Sequence, residues 1–198
     1  MAGKTQDKRT ARLGIDIGSV NLHVFADGGV GKRRGWTRPI RGRGLDALVE
    51  LANGEVREFL RGESALVAIT GQGQDLLGAE LGATAVSEVV AVTAAAQALF
   101  PEARTVIDLG GQFSKWILVH KERGIADFAT NGLCAAGCGA FLEQQAGRLG
   151  LCVEEFGSVA GTADRGATVA GRCAVFAKSD MIHLQQKGTP VPAIAYGL

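Results

Sequence analysis

The chain has 198 residues, of which 46% are hydrophobic and 21% are charged, as is ordinary for a globular protein with its own core. A net charge of +1 gives no electrostatic basis for binding nucleic acid or a membrane surface, and no apolar run reaches the ~18 residues of a membrane span. The polar N-terminus lacks the apolar segment of a signal peptide. Residues 1–11 are therefore predicted to be a disordered leader, and the protein to be cytoplasmic.

The predicted elements alternate between strands and helices, which indicates an α/β protein. In chain order they are strands 12–18, 22–26 and 33–40, helix 45–60 with a weak point at Gly54, strand 65–70, a glycine loop at 71–73, helix 85–99, strands 105–110, 113–120 and 123–129, helices 139–149 and 153–160, a short strand near 161–171, and helix 175–187.

The same strand–turn–strand pattern occurs twice. Ile15-Asp16-Ile17-Gly18 matches Ile107-Asp108-Leu109-Gly110, an offset of 92 residues from position 15 to position 107. A repeat of this kind suggests two related half-domains. Glycine turns expose backbone N–H groups that can cradle phosphate, and an aspartate at a strand end can hold Mg²⁺ directly or through water. Two such hairpins facing each other predict a nucleotide site; the alternative is two ordinary tight hairpins.

A run of six cations lies between residues 32 and 43. The plain interpretation is a solvated strand-and-loop face, and the alternative is a docking patch for an acidic protein. The residues are Lys32, Arg33, Arg34, Arg38, Arg41 and Arg43.

The four cysteines lack the paired spacing of a zinc ribbon, and a cytoplasmic location argues against disulfides. A buried apolar filler is the plain interpretation of any single one, including Cys138 and Cys152. Cys134 and Cys173 each precede a predicted helix, whose N-terminus stabilises a thiolate. Two thiolates cannot complete a four-cysteine iron–sulfur cluster, but a symmetric dimer supplies four and places the cluster on its two-fold axis.

Six segments stand in an order and at spacings that resemble a known family. They are GIDIGS, ITGQG, SEVVAVTAAA, VIDLGGQFSK, NGLCAAGCGAFLE and RCAVFAKSDMIHLQQKG. Over about residues 12–198 the chain is similar to the ATP-dependent activators of 2-hydroxyacyl-CoA dehydratases, a family shared with ATPase subunits of benzoyl-CoA reductase. The family lies in the kinase, chaperone and actin superfamily. The resemblance implies an actin-like (ribonuclease-H-like) ATPase fold with duplicated phosphate-binding hairpins.

The resemblance also implies ligands and partners. It implies a homodimer, or a pair with a homologous subunit, that holds one 4Fe–4S cluster through Cys134 and Cys173. ATP or ADP with Mg²⁺ would drive an electron from a ferredoxin or flavodoxin into a CoA-thioester dehydratase or reductase, with no nucleic acid or membrane involved. The implied catalytic residues are Asp16, Asp108 and Glu88. The implied nucleotide-binding residues are Gly18, Ser19, Val20, Asn21, Gly110, Gly111, Gln112, Gly137 and Gly139.

Some positions depart from the family pattern. His23 stands where the first phosphate motif usually has lysine, and Phe113 stands where the second usually has aspartate. The third motif of the superfamily, a Gly-Gly adenosine loop, does not occur, so the C-terminal part is expected to be incomplete. We expect one subdomain at 12–101 and a second, truncated one at 102–198. Two other functions stay open: a sugar or acid kinase of this fold without a cluster, and a non-catalytic subunit.

Overall fold

The computed structural model describes residues 10–29, 31–132 and 137–198. Strands and helices alternate through these ranges, as the sequence predicts. The strands are β1 (Ala11–Ile17), β2 (Asn21–Asp27), β3 (Arg33–Pro39), β4 (Ala65–Gly71), β5 (Thr84–Ala85), β6 (Thr105–Leu109), β7 (Ser114–His120) and β8 (Gly124–Thr130). The helices are α1 (Gly44–Leu51), α2 (Arg57–Leu60), α3 (Gln74–Leu81), α4 (Glu88–Leu99), α5 (Cys138–Arg148), α6 (Val153–Ala160), α7 (Ala174–Gln186) and α8 (Val191–Gly197).

The chain divides into two compact units. The first contains the residues up to Arg104 together with Val119–Ala126, and the second contains Thr105–Leu118 together with Asp127–Leu198. The subdomain boundary expected between residues 101 and 102 stays a prediction.

The first unit is built on a five-stranded sheet in the order β3-β2-β1-β4-β5. β1 and β2 are antiparallel, whereas β4 lies parallel to β1 on its other side. Alternate residues of β1 and β2 point to opposite faces. One face packs against α1 and α2, and the buried side chains of this core are Ile15, Ile17, Leu22, Val24, Ala26, Trp36, Ile40, Leu48, Leu51, Val56 and Ile69.

The predicted helix at 45–60 is interrupted where the sequence shows its weak point. A π-helical turn at Ala52–Val56 joins α1 to α2, and Gly54 has non-helical angles of φ −93° and ψ −107°. Glycine allows this kink because it lacks a Cβ. The kink keeps the apolar residues on both sides of it against the sheet. Leu48 and Leu51 of α1 and Val56 of the turn are buried, and Phe59 and Leu60 of α2 pack against this core while partly exposed.

The second unit contains β6 and the part of β7 up to Leu118. These two strands are antiparallel and belong to a sheet in the order β6-β7-β8. The helical core of the second unit joins Ala146 of α5, Phe156 of α6 and Ala195 of α8. α8 begins after Pro190 and has a proline in its first turn, where no N–H donor is required.

Several sequence-based expectations need correction. The short strand predicted near 161–171 is wrong, because residues 161–173 form turns and irregular backbone. The helix predicted from residue 85 begins at Glu88, since Thr84–Ala85 pairs with β4 as β5 and Ser87 caps the helix. α3 and α8 were not predicted, because each is short and interrupted by glycine or proline. Across the described ranges, every helix is too short or too polar to traverse a bilayer.

Candidate functional site

The first hairpin makes a turn that suits only glycine at its first position. The Gly18 N–H donates to the carbonyl oxygen of Asn21 at 3.0 Å, and a Cβ on Gly18 would lie 2.9 Å from that same oxygen. Ser19 and Val20 complete the turn, and the carbonyl of Val20 accepts a hydrogen bond from the backbone N–H of Ile40 at 2.9 Å. The four residues predicted to bind nucleotide here therefore form one turn that is held from two sides.

Asp16 lies beside this turn at the carboxyl end of β1. Thr70 of the parallel strand β4 is in register with Asp16. The following residue, Gly71, has a φ of +91°, and a Cβ there would lie 2.9 Å from Oδ1 of Asp16. Gln72 then donates its backbone N–H to the carbonyl of Ile17 at 2.8 Å. The glycine loop at 71–73 is thus packed directly against the end of β1 that carries Asp16. The sequence predicts this loop but does not indicate that it belongs to the site.

Thr70 adds a buried hydroxyl to this strand end. Its Oγ1 is inaccessible to solvent and makes no hydrogen bond within the described part of the chain. A buried hydroxyl without a partner costs about 1–3 kcal/mol, so a polar ligand placed there would be stabilising. An aspartate beside such a hydroxyl, at the carboxyl edge of a parallel strand pair, fits a hydrated Mg²⁺ or a phosphate oxygen.

A cavity of about 650 Å³ opens over the face of the first sheet that carries the side chains of Asp16 and Thr70. Asp16, His23 and Thr70 line one part of it, and Ala91 of α4 lines another. Glu88 is the first residue of α4, one turn before Ala91. The third predicted catalytic residue therefore belongs to the helix that borders the Asp16 cavity.

The second hairpin repeats the turn geometry of the first. The Gly110 N–H donates to the carbonyl of Phe113 at 3.0 Å, and a Cβ on Gly110 would lie 2.7 Å from that oxygen. Asp108 faces Lys115 across the hairpin, as Asp16 faces His23 in the first. The repeated hairpin predicted from the sequence is therefore confirmed, including the register of its strands.

The two hairpins differ chemically at one matched pair of positions. In the second, Nζ of Lys115 lies 3.0 Å from Oδ2 of Asp108, and the lysine side chain is only 10% exposed. A buried ammonium group must be paired, so this contact fixes the carboxylate beside the turn. In the first hairpin, Nδ1 of His23 lies 3.0 Å from Oγ1 of Thr37. Sequence reasoning noted His23 but did not select Lys115, its repeat counterpart.

The start of α5 is hydrogen-bonded to the second turn. The Gly137 N–H donates to the carbonyl of Gln112 at 2.7 Å, and the Ala140 N–H donates to that of Gly111 at 3.0 Å. A Cβ on Gly139 would lie 2.6 Å from the carbonyl oxygen of Gly110. The structure thus brings together all five predicted binding residues of the second unit. It also gives two of the unsatisfied donors of the α5 N-terminus their acceptors.

Of the two predicted cluster ligands, the structure describes only Cys173. Cys134 lies outside the described residues. Cys173 is a half-buried free thiol at the N-cap of α7, where the carbonyl of Cys173 accepts a hydrogen bond from the Ala177 N–H at 2.9 Å. Oδ2 of Asp180 accepts from the Ala170 N–H at 2.9 Å and so ties the preceding loop to α7. A thiolate is the ligand that an iron–sulfur cluster takes, so the donor atom of Cys173 fits one.

The other two cysteines, Cys152 and Cys138, both lie at helix starts. Cys152 is the N-cap of α6 and forms a capping box with Glu155, whose hydrogen bond raises the pKa of the Cys152 thiol. Cys138 is the first residue of α5. Within the described ranges, no three His, Cys, Asp or Glu side chains converge on a metal position.

Several cations of the basic run pair with carboxylates of the first unit. Lys32 pairs with Glu63 and Arg33 with Asp27, each at 3.1 Å. Arg38 pairs with Glu55, and the Arg34 guanidinium lies 5.3 Å from the ring centre of Trp36. These contacts favour a solvated face over a docking patch.

Comparisons with known proteins agree with this architecture. The uncharacterized protein YjiL of Escherichia coli is 34% identical over 188 residues, which cover 94% of this chain and 71% of that protein. A benzoyl-CoA reductase component from Thauera aromatica is 31% identical over 199 residues, which cover 96% of this chain and 68% of that protein. The solved structure of the activator of 2-hydroxyisocaproyl-CoA dehydratase from Clostridium difficile, with bound ADPNP, superposes with a TM-score of 0.75 at 25% identity, over 95% of this chain and 70% of that one.

These matches confirm the resemblance and the actin-like ATPase fold inferred from the sequence. A model of the BadF/BadG/BcrA/BcrD ATPase family matches residues 13–198. This chain therefore belongs to the BadF/BadG/BcrA/BcrD ATPase family.

Proposed function

We propose that this protein is an ATP-driven electron-transfer activator that serves a CoA-thioester dehydratase or reductase. Two copies, or one copy and a homologous subunit, would share one 4Fe–4S cluster through Cys134 and Cys173. The named relatives support the choice of partner, since one is a component of benzoyl-CoA reductase and another is an activator of a 2-hydroxyacyl-CoA dehydratase. A cytoplasmic location and a ferredoxin or flavodoxin as electron donor belong to the same proposal.

The observation that carries the nucleotide part is the repeated glycine turn. Gly18 and Gly110 each close a turn in which a Cβ would meet a backbone carbonyl. Such turns bring backbone N–H groups close to an anion. Asp16, with the buried hydroxyl of Thr70 beside it, would hold Mg²⁺ through water. Asp108, held by Lys115, would position the second turn.

The contact between the second turn and α5 suggests how nucleotide binding would reach the cluster ligands. The Gly111 and Gln112 carbonyls accept hydrogen bonds from the start of α5, and Cys134 precedes Gly137 by three residues in the chain. A shift of the second turn on ATP binding would therefore pull on the segment that holds Cys134. ATP can act in this way only through unequal affinity for the two positions of the turn.

Each chain contributes two of the four thiolates that a cluster takes, which is why we propose a dimer. When bound, the cluster would supply one-electron transfer at low potential. Cys173 sits at the N-terminus of a 13-residue helix, whose dipole favours the negative charge of a thiolate ligand.

A non-catalytic subunit is the second candidate. One observation favours it: the ion pair of the second hairpin has no lysine counterpart at position 23, where His23 instead contacts Thr37. The isolated chain would then bind ATP but not hydrolyse it. Steady ATP hydrolysis that is lost in Asp16→Ala would exclude this candidate.

The test uses the full chain purified without oxygen. We expect four iron atoms for every two chains, with iron and visible colour lost in Cys173→Ala but kept in Cys152→Ala, the matched cysteine at another helix N-cap. Titration calorimetry should show Mg-ATP binding that Asp16→Ala weakens without loss of iron. An iron-free protein after anaerobic reconstitution would refute the cluster, and unchanged Mg-ATP binding in Asp16→Ala would refute the nucleotide site.

A further inference from the structure

The loop that precedes Cys173 is packed against α8 in its first part. The N–H of Ala167 donates to the carbonyl of Ala193 at 2.8 Å. A Cβ on Gly197 would lie 2.1 Å from the Ala167 carbonyl oxygen, so the backbones of the loop and of α8 are in direct contact. This part of the loop is therefore fixed to the helix that follows α7 in the chain.

The second part of the loop is held by α7 itself. The N–H of Ala170 donates to Oδ2 of Asp180 at 2.9 Å, and only Gly171 and Arg172 separate Ala170 from Cys173. Cys173 is the N-cap of α7, and Asp180 lies seven residues further along the helix. Seven residues span about two turns, or ~10 Å along the axis. The loop therefore runs beside the first two turns of α7 before the chain enters the helix.

The carboxylate of Asp180 is well placed to hold this loop. Cys173 and Asp180 lie on the same side of α7, because seven residues turn a helix through roughly 700°, which is close to two full turns. Ala177 lies between them on that side and is buried. A helical side chain tilts towards the N-terminus of its helix, so the carboxylate is directed back towards the end of α7 where Cys173 stands.

We propose that Asp180 is a positioning residue for Cys173, and that it acts through the hydrogen bond to Ala170, which fixes how the chain enters α7. Gly171 gives the short link after Ala170 wide conformational freedom, so the direction of the thiol depends on how firmly the link is held. Loss of such support beyond a metal ligand commonly weakens metal binding by about 10- to 100-fold. The role of Cys173 as an iron ligand rests on the function proposed above, whereas the placement of its thiol can be measured without iron.

The hydrogen bond, rather than the negative charge of Asp180, is the feature that acts on Cys173. The two residues are about 10 Å apart along the helix, which is the Debye length at ~0.1 M salt, so the charge is largely screened. Asparagine keeps an acceptor oxygen and removes the charge, whereas leucine keeps the branch at Cγ and offers no acceptor. Asp180→Asn should therefore behave like the parent protein, and Asp180→Leu should not.

Two further variants complete the set. Asp180→Ala also removes the acceptor but adds no large apolar group, so the conclusion does not depend on the folding of Asp180→Leu alone. Ser179→Ala is the matched control on the neighbouring residue. It removes a hydrogen bond of 3.1 Å from Oγ of Ser179 to the carbonyl of Val175, within α7, and leaves the bond between Asp180 and the loop in place.

The first measurement uses the full chain in its reduced, iron-free form. Cys173 is half-buried, so release of the loop should expose its thiol to iodoacetamide. Peptide mass mapping should show roughly fivefold faster alkylation of Cys173 in Asp180→Leu and Asp180→Ala, and a rate within about twofold of the parent in Asp180→Asn and Ser179→Ala. The exposed Cys152 is the internal reference and should react at the parent rate in every variant.

Two results of this measurement would overturn the proposal. The first is a parent-like rate for Cys173 in both Asp180→Leu and Asp180→Ala, which would mean that the hydrogen bond does not place the thiol. The second is a rate in Asp180→Asn as high as in Asp180→Leu, which would assign the effect to the charge.

The second measurement follows iron after anaerobic reconstitution. We expect Asp180→Leu to release iron to a chelator about tenfold faster than the parent, and Asp180→Asn and Ser179→Ala to release it at the parent rate. Equal release from Asp180→Leu and the parent would overturn the positioning role and leave the cluster in place. A parent protein that holds no iron would refute the proposed cluster instead, and the alkylation rates would then decide the placement of Cys173 by themselves.

Discussion

Gly139→Ala tests the contact between α5 and the second turn. The added Cβ would stand 2.6 Å from the Gly110 carbonyl oxygen and 2.9 Å from Cα of Gly111, whereas ordinary contact begins near 3.4 Å. The helix start must therefore retreat by about 0.8 Å, which stretches two hydrogen bonds that are 2.7 and 3.0 Å long. Overpacking costs about 1–3 kcal/mol and each weakened hydrogen bond about 1 kcal/mol.

The difference in helix propensity between alanine and glycine acts in the opposite direction and stabilises the variant. Alanine is favoured over glycine inside a helix by about 1 kcal/mol. We therefore expect Gly139→Ala to lower the free energy of unfolding by about 3 kcal/mol. We also expect it to weaken Mg-ATP binding roughly tenfold, the equivalent of 1.4 kcal/mol. Urea denaturation and titration calorimetry on the full chain measure the two quantities.

Gly147→Ala is the matched control, because it lies in the same helix and a Cβ there meets nothing within 4 Å. It should stabilise the protein by about 1 kcal/mol and leave Mg-ATP binding unchanged. The reasoning fails if Gly139→Ala is as stable as Gly147→Ala and binds Mg-ATP equally well.

Three further predictions follow from individual contacts. Lys115→Met should destabilise the protein by about 3 kcal/mol in urea denaturation, because it leaves a partly buried carboxylate unpaired, and adding Asp108→Asn should recover part of that loss. The backbone N–H of Gly29 donates a hydrogen bond to Asp27 and lowers the pKa of that carboxyl. The contribution of Asp27 to stability should therefore be lost as pH falls below about 3.8. Melting temperatures measured across acid pH should fall less steeply in Asp27→Asn than in the parent protein, and equal slopes would contradict this. Because the hydrogen bond to Glu155 raises the pKa of Cys152, iodoacetamide at pH 8 should alkylate Cys152 faster in Glu155→Gln, as followed by peptide mass mapping, and equal rates would contradict it.

Much of the fold could be predicted because the relevant signals are local. The hairpin around Gly18 follows from an apolar alternation on each side of a glycine turn, and Gly110 repeats it. Gly54 marks the kink between α1 and α2. The strand predicted near 161–171 failed, since a few apolar residues form a strand only where a neighbouring strand offers hydrogen bonds.

The candidate site was predictable only in part for a similar reason. Asp16 and Asp108 stand out because the repeat places them in equivalent positions. Thr70 and Lys115 do not, because their importance depends on a neighbouring strand: Thr70 is in register with Asp16, and Lys115 reaches Asp108 across a hairpin. Gly139 is one glycine among 29 until its distance to Gly110 is known.

The sequence by itself determined the two glycine-turn hairpins, their shared register and the family, because turn chemistry and strand periodicity act over a few residues. Only the tertiary structure decided which side of each sheet is covered. Ile15 and Ile107 occupy the same place in the repeat, yet the first is buried and the second is open to solvent. Alternation encodes that a strand has two faces, but the burial of either face depends on elements that pack against it from elsewhere in the chain or from a partner.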